Sequence, residues 1–169
     1  MARDHARIFT SIWRDTDFRA LTVDAQHTYL AIVSQEALTY AGVLDYRPGR
    51  LAALSKDATA RRVEAAVKTL ERLRFVVVDR ETEELLARSY VRHDGVMDRV
   101  NMGKAVARAM NKVVSMPLYG AVIDELARLY REKPNLAGFH GLGDLNPDAM
   151  ARVEAMASTI PLPMASREA

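Results

Sequence analysis

Between Thr59 and Arg74, apolar side chains fall at Val63, Ala66, Val67, Leu70 and Leu73. That is the i, i+3, i+4, i+7 rhythm of a helix with one buried face. Arg61, Ala65, Lys68 and Arg72 line up on another face of the same helix. The rhythm changes at Phe75. Phe75-Val76-Val77-Val78 is aromatic and β-branched, which predicts a strand. Asp79 to Glu83 reads as a polar turn, and Leu85 to Val91 alternates as the returning strand, closed by Arg92-His93-Asp94-Gly95. A helix with a basic stripe followed at once by a hairpin predicts the core of a winged helix-turn-helix.

Upstream, Ile8, Phe9, Ile12, Trp13, Phe18 and Leu21 form an apolar patch, with Trp13 expected to anchor the N-terminal segment on the core. Met1 to Arg7 is polar and is expected to be mobile. Thr22 is a suitable N-cap for a first helix carrying Ala25, Tyr29, Ile32 and Val33, up to about Gln35. Val43-Leu44 predicts a short strand that pairs with the hairpin. Pro48 opens a short second helix with Leu51, Ala52 and Leu54 buried, and Ser55-Lys56-Asp57 is the turn before Asp57 or Thr59 caps the basic helix.

Downstream, Val100, Val106, Met110, Val113 and Val114 mark a fourth helix. Lys104, Arg108 and Lys112 share one of its faces, expected to be solvated. Pro117 restarts the chain as a fifth helix ending by Pro134. The pattern leaves open whether these two helices pack on the rest or form a homodimer. Asn135 to Gly143, with three glycines, reads as a loop. Asn146-Pro147 opens a last helix to about Ser158, and Ile160 to Ala169 reads as a frayed tail. The fold class is therefore mainly α (α+β), divided as a winged-helix domain over 1–95, a two-helix extension over 96–133, and a loop, short helix and tail over 134–169.

Charge sharpens this picture. The net charge is only +2, but residues 47–74 hold eight basic side chains against three acidic ones, while 75–95 hold three against five. The positive charge thus sits on the basic helix and the segment before it, the footprint expected of a nucleic-acid binder, and the wing is acidic. With no cysteine, disulfides, thiolate metal sites and cysteine nucleophiles are excluded. There is no signal-peptide pattern and no apolar run of about 18 residues to span a bilayer, so a cytoplasmic protein is expected. His93 beside Asp94 is not read as a catalytic pair, because neighbours in a strand face opposite ways. No phosphate-loop motif, cofactor motif or metal constellation is present, so no enzyme activity, cofactor or metal is expected.

The runs Ser11–Val33, Ala41–Ser55 and Arg74–Val96 resemble the winged-helix DNA-binding proteins encoded by actinobacteria and their phages. Those are similar to the N-terminal domains of phage replication initiators and DnaD-type replisome organisers. The resemblance covers about Arg7 to Pro134. It rests on Trp13, Phe18, Gln26, Tyr29, Gly42, Pro48, Leu54, Val63, Leu70, the Asp79/Thr82/Glu83 turn and Arg88 to Arg92, mostly packing and turn residues. It implies sequence-specific binding of double-stranded DNA in replication initiation or transcription regulation.

The expected interface is the helix over 59–74. Arg61 and Lys68 are candidates for guanine edges, with Ala65 and Arg72 on the same face. Thr59 lies at the helix start, and Arg47, Arg50, Lys56 and Arg62 are assigned to flanking phosphates. Arg80 at the wing tip is assigned to the minor groove, although Asp79, Glu81, Glu83 and Glu84 surround it. The competing reading is an adaptor that uses the acidic wing to dock on a replisome or polymerase component without binding DNA.

Overall fold

The structure is a computed structural model that describes residues 5–159. It is mostly helical, with one small antiparallel sheet, an α+β arrangement. The expected mobile start and frayed tail fall largely at 1–4 and 160–169, outside the described residues.

After a 3-10 turn at Thr10–Arg14 comes α1 (Thr16–Arg19), capped by the Asp15 carboxylate, which accepts from the amides of Asp17 and Phe18 at 2.8 and 3.0 Å. Next is α2 (Val23–Val33), capped by Thr22 as expected. Then follow β1 (Val43–Asp45), α3 (Pro48–Ala52) with Pro48 in its first turn, and α4 (Ala60–Arg72). A hairpin of β2 (Val76–Asp79) and β3 (Glu84–Ala87) leads to a helical turn, α5 (Tyr90–His93). Four longer helices complete the chain: α6 (Val100–Met110), α7 (Met116–Glu132), α8 (Ala137–Leu145) and α9 (Pro147–Thr159).

The sheet order is β1-β3-β2, both pairings antiparallel. The predicted strand at Val43-Leu44 therefore does pair with the hairpin, Leu44 lying opposite Leu85. Phe18, Ile32, Leu51, Val63, Val67, Leu70, Val76, Leu85 and Leu86 fill the centre of this half. Phe18 stands edge-on to Tyr29 and Phe75, centroids 5.9 and 6.3 Å apart. In the other half α7 lies on β2, β3 and α5 and is backed by α9, while α6 packs on α8. Leu118, Val122, Leu126, Phe139 and Leu142 join the same continuous core.

Several expectations are corrected, among them Leu54, which lies past the end of α3 and is exposed rather than buried. The returning strand ends at Ala87 rather than Val91, because Ala87 pairs with Val76, the first residue of β2, and nothing extended lies beyond it. The chain turns into α5, so His93 and Asp94 lie at a helix end; Asp94 accepts the Tyr90 hydroxyl at 2.9 Å. Trp13 is 57 % exposed: Phe18 takes the core position, and Trp13 leans on it edge-on at 5.6 Å. The fourth helix stops at Met110, so Val113 and Val114 belong to the turn before α7.

The glycine-rich stretch is helix α8, not a loop. Two of its glycines, Gly138 and Gly141, serve contact rather than flexibility. A Cβ placed on Gly103 of α6 would lie 1.8 Å from the Gly138 carbonyl oxygen, and one on Gly141 would lie 2.0 Å from that of Val100. The two helices meet backbone to backbone, a separation that any side chain would prevent.

Candidate nucleic-acid interface

Helix α4 is fixed at both ends by its own sequence. Thr59 Oγ1 accepts the Arg62 amide at 3.3 Å, satisfying one of the free donors of the first turn. At the other end the Arg74 amide reaches the Glu71 carbonyl and the Phe75 amide the Leu70 carbonyl, both at 2.9 Å. This is a Schellman closure with Arg74 in the left-handed conformation (φ 61°), and the Phe75 ring packs against the core as the chain enters the hairpin.

Val63, Ala66, Val67 and Leu70 bury one side of α4 against α2, α3 and β2. Arg61, Ala65, Lys68 and Arg72 occupy the opposite side and are all exposed. Among the described residues no carboxylate pairs with Arg61, Lys68 or Arg72. Ala65 keeps the middle of that face low, so a flat or grooved surface can approach the helix backbone. The expected stripe is thus assembled as a row of free cations.

The neighbouring arginines are placed differently from the expectation. Arg62 faces α2, where Nε and Nη2 donate to the two Asp24 carboxylate oxygens at 3.2 and 2.7 Å and Nη1 donates to the Asp57 carbonyl at 2.8 Å. The hydrogen bonds to Asp24 hold its pKa above the ordinary arginine value. Arg62 is committed to locking the turn over 53–59 onto α2, not to a phosphate. A second contact on the same seam joins Ser55 Oγ and His27 Nε2 at 3.2 Å.

Arg80 does not project from the hairpin tip. Its guanidinium folds back to grip Glu71 with Nη1 and Nη2 at 3.2 and 2.6 Å, and it stacks 5.9 Å from the Tyr46 ring centroid. The bidentate bond to Glu71 raises its pKa, and partial burial raises that of Tyr46. The minor-groove assignment is replaced by a brace between the hairpin and the side of α4.

The acidic hairpin also changes meaning. Asp79 and Glu84 face each other across β2 and β3 and point at the start of α7. Glu84 accepts the amides of Val114 and Ser115 at 3.1 and 2.6 Å, and Asp79 accepts the Ser115 hydroxyl at 2.6 Å. Ser115 is buried and caps α7 by accepting the Leu118 amide. Two carboxylates thus sit where a helix N-terminus favours negative charge. The Ser115 hydrogen bond holds the Asp79 carboxyl below its ordinary value, helped by the amides of Thr82 and Glu81. Glu81 and Glu83 remain exposed at the tip.

Of the other assigned residues, Arg50 and Lys56 are exposed and have no carboxylate partner among the described residues, while Arg47 lies 3.5 Å from Asp45. Arg47 and Arg50 open onto a cleft beside β1, away from the α4 row, whereas Lys56 belongs to the turn that leads into it. Reading by spacing missed Asp24, Asp79, Glu84 and Ser115. The signal for the last was present: Ser115 stands two residues before Pro117, as a capping residue would. Among the described residues no cluster of three metal-ligating side chains occurs, and no helix is long and apolar enough to cross a membrane. No family model, curated protein or solved structure matches the chain.

Proposed function

We propose that the chain is a winged helix-turn-helix protein that binds double-stranded DNA with α4 in the major groove, acting in the cytoplasm in replication initiation or transcription regulation. The observation that carries this reading is the row Arg61, Lys68 and Arg72 around Ala65, free of carboxylate partners on the uncovered side of a rigidly capped helix. The order helix, strand, helix, helix, strand, strand from α2 to β3, with sheet order β1-β3-β2, supports the winged-helix assignment. The inward turn of Asp79 and Glu84 removes much of the repulsion that the acidic hairpin would exert on phosphates.

In this mechanism Arg61 and Lys68 donate to guanine O6 and N7, and Arg72 and Lys56 meet phosphates on either side of the groove. Fluorescence anisotropy with duplex DNA across a salt series tests it. With the two phosphates met by Arg72 and Lys56 neutralised, log affinity falls with log salt at a slope of about −2. Arg72→Ala reduces that slope by about 0.9, whereas Arg61→Ala lowers affinity and relaxes the sequence preference. Arg62→Ala leaves the slope unchanged and lowers thermal stability instead. Equal slope losses from Arg72→Ala and Arg62→Ala contradict the assignment of α4. The exposed Glu81 and Glu83 favour a second reading, an adaptor that docks on a replisome or polymerase component; failure of any duplex to bind at low salt selects it.

A further inference from the structure

Two clefts open between the segment 35–40 and the end of α6, the first of them reaching β1 and α3. One, of about 310 Å³, is lined by Arg47 and Arg50 from the β1–α3 junction and by Lys112. The other, of about 400 Å³, is lined by Arg108, Lys112 and Tyr40. Ala37, Thr39, Ala109 and Lys112 belong to both walls, so the clefts form one trough running from α3 along the end of α6. Its carboxylates are largely committed: Glu84 to the amides at the start of α7, and Asp45 to Arg47 at 3.5 Å. Glu36 at the far end is exposed. Arg50, Arg108 and Lys112 have no carboxylate partner among the described residues. Lys104, one turn earlier on α6, is instead bound to Asp144 at 3.0 Å.

We infer that this trough is a second nucleic-acid contact, a binding site for the phosphodiester backbone held by Arg50, Arg108 and Lys112. The inference rests on the proposed DNA-binding role of α4 and extends the footprint beyond it. Three cations spaced along an open trough suit a run of phosphates rather than a single anion. The walls between them include Ala37, Thr39 and Ala109, and half-buried Tyr40 lines one end. A helix-turn-helix module contacts DNA over one groove; a second strip on α6 brings the C-terminal half of the protein onto the flanking backbone. The same chemistry accepts a flanking duplex or a separated strand, the latter with a base stacked on Tyr40.

The test compares the full chain with R108A/K112A, K104A and K68A on three probes: a 12-base-pair duplex, a 30-base-pair duplex and a 20-nucleotide single strand. R108A/K112A is expected to reduce the salt slope by about 1.8 on the long duplex and to leave the short one unchanged. K104A is expected to match the wild type, and K68A to weaken both duplexes. A reduction confined to the single strand identifies a separated strand as the occupant. Unchanged slopes for R108A/K112A on the long duplex and the single strand, with K68A still impaired, overturn the trough and leave α4 standing. Loss with R108A/K112A but none with K68A overturns α4 and leaves the trough. Absence of binding by the wild type to all three overturns both.

Discussion

Gly103→Ala tests the backbone-to-backbone contact of α6 and α8. An added Cβ would lie 1.8 Å from the Gly138 oxygen and 2.6 Å from its carbonyl carbon, whereas real Cβ atoms stay beyond 3.0 Å. Both obstructing atoms are main chain, so no rotamer relieves the clash; the helices must part by more than about 1 Å, which forfeits up to half of each dispersion contact across the seam. Alanine contributes about 1 kcal/mol to helix stability relative to glycine. Overpacking on a rigid backbone costs about 3 kcal/mol or more. The net loss is therefore about 2 kcal/mol, a fall of about 4–8 °C in Tm for a domain of this size. Gly143→Ala, on the same α8, meets only the Met150 side chain at 3.6 Å, and Gly120→Ala on α7 meets nothing within 4 Å. Both should hold or raise Tm, by up to about 4 °C. Differential scanning calorimetry on the three variants decides the matter. A Gly103→Ala protein melting at or above the wild type would refute the close contact.

Arg74 occupies a left-handed position that glycine fills without steric cost, so Arg74→Gly should stabilise the fold by about 0.5–1 kcal/mol, read as a higher urea midpoint at unchanged m-value. Glu125 is 2 % exposed on α7 and neutralises Arg88 at 2.9 Å and Arg92 at 3.4 Å. Glu125→Gln leaves Arg88 without a carboxylate and Arg92 with Glu132 alone, at 3.1 Å, and should cost about 2–3 kcal/mol in urea denaturation, since each arginine retains some access to water. Asp79 has a folded pKa below its ordinary 3.8, so its contribution to stability is fully present above that value and lost as the pH falls through the folded one. The stability difference between wild type and Asp79→Asn should therefore be constant at neutral pH and shrink in acid; a difference that grows on acidification would contradict the Ser115 bond.

Local signals were legible in the sequence and distant pairings were not. The buried stripe of α4, the caps Thr22 and Asn146, and the β1 strand all follow from spacing over a few residues, whereas spacing leaves Asp57 and Thr59 as alternative caps of α4 and the structure selects Thr59. The partners of Arg62 and Asp79 lie 38 and 36 residues away. One-dimensional charge counting therefore assigns Arg62 to phosphates and Asp79 to the acidic wing around Arg80. Arg80 was misplaced for a related reason: its partner Glu71 is near in sequence, but a helix end and a strand lie between them. Glycine misled because it has two physical uses. Gly42 and Gly95, at positive φ, shape turns, whereas Gly103, Gly138 and Gly141 permit close contact, and a single sequence does not distinguish these uses.

The grip of Asp79 and Glu84 on Ser115 bears on where this chain can be cut. A break after residue 95 looks natural, since the helix-strand core is complete by then. A fragment ending there would shed α7, and with it the amides and hydroxyl that hold both carboxylates and the Glu125 that neutralises Arg88 and Arg92. It would keep the α4 face but carry a newly acidic hairpin beside it and a newly basic patch behind. The C-terminal helices thus set the electrostatic character of the N-terminal half, and a truncation made for convenience would measure a different molecule.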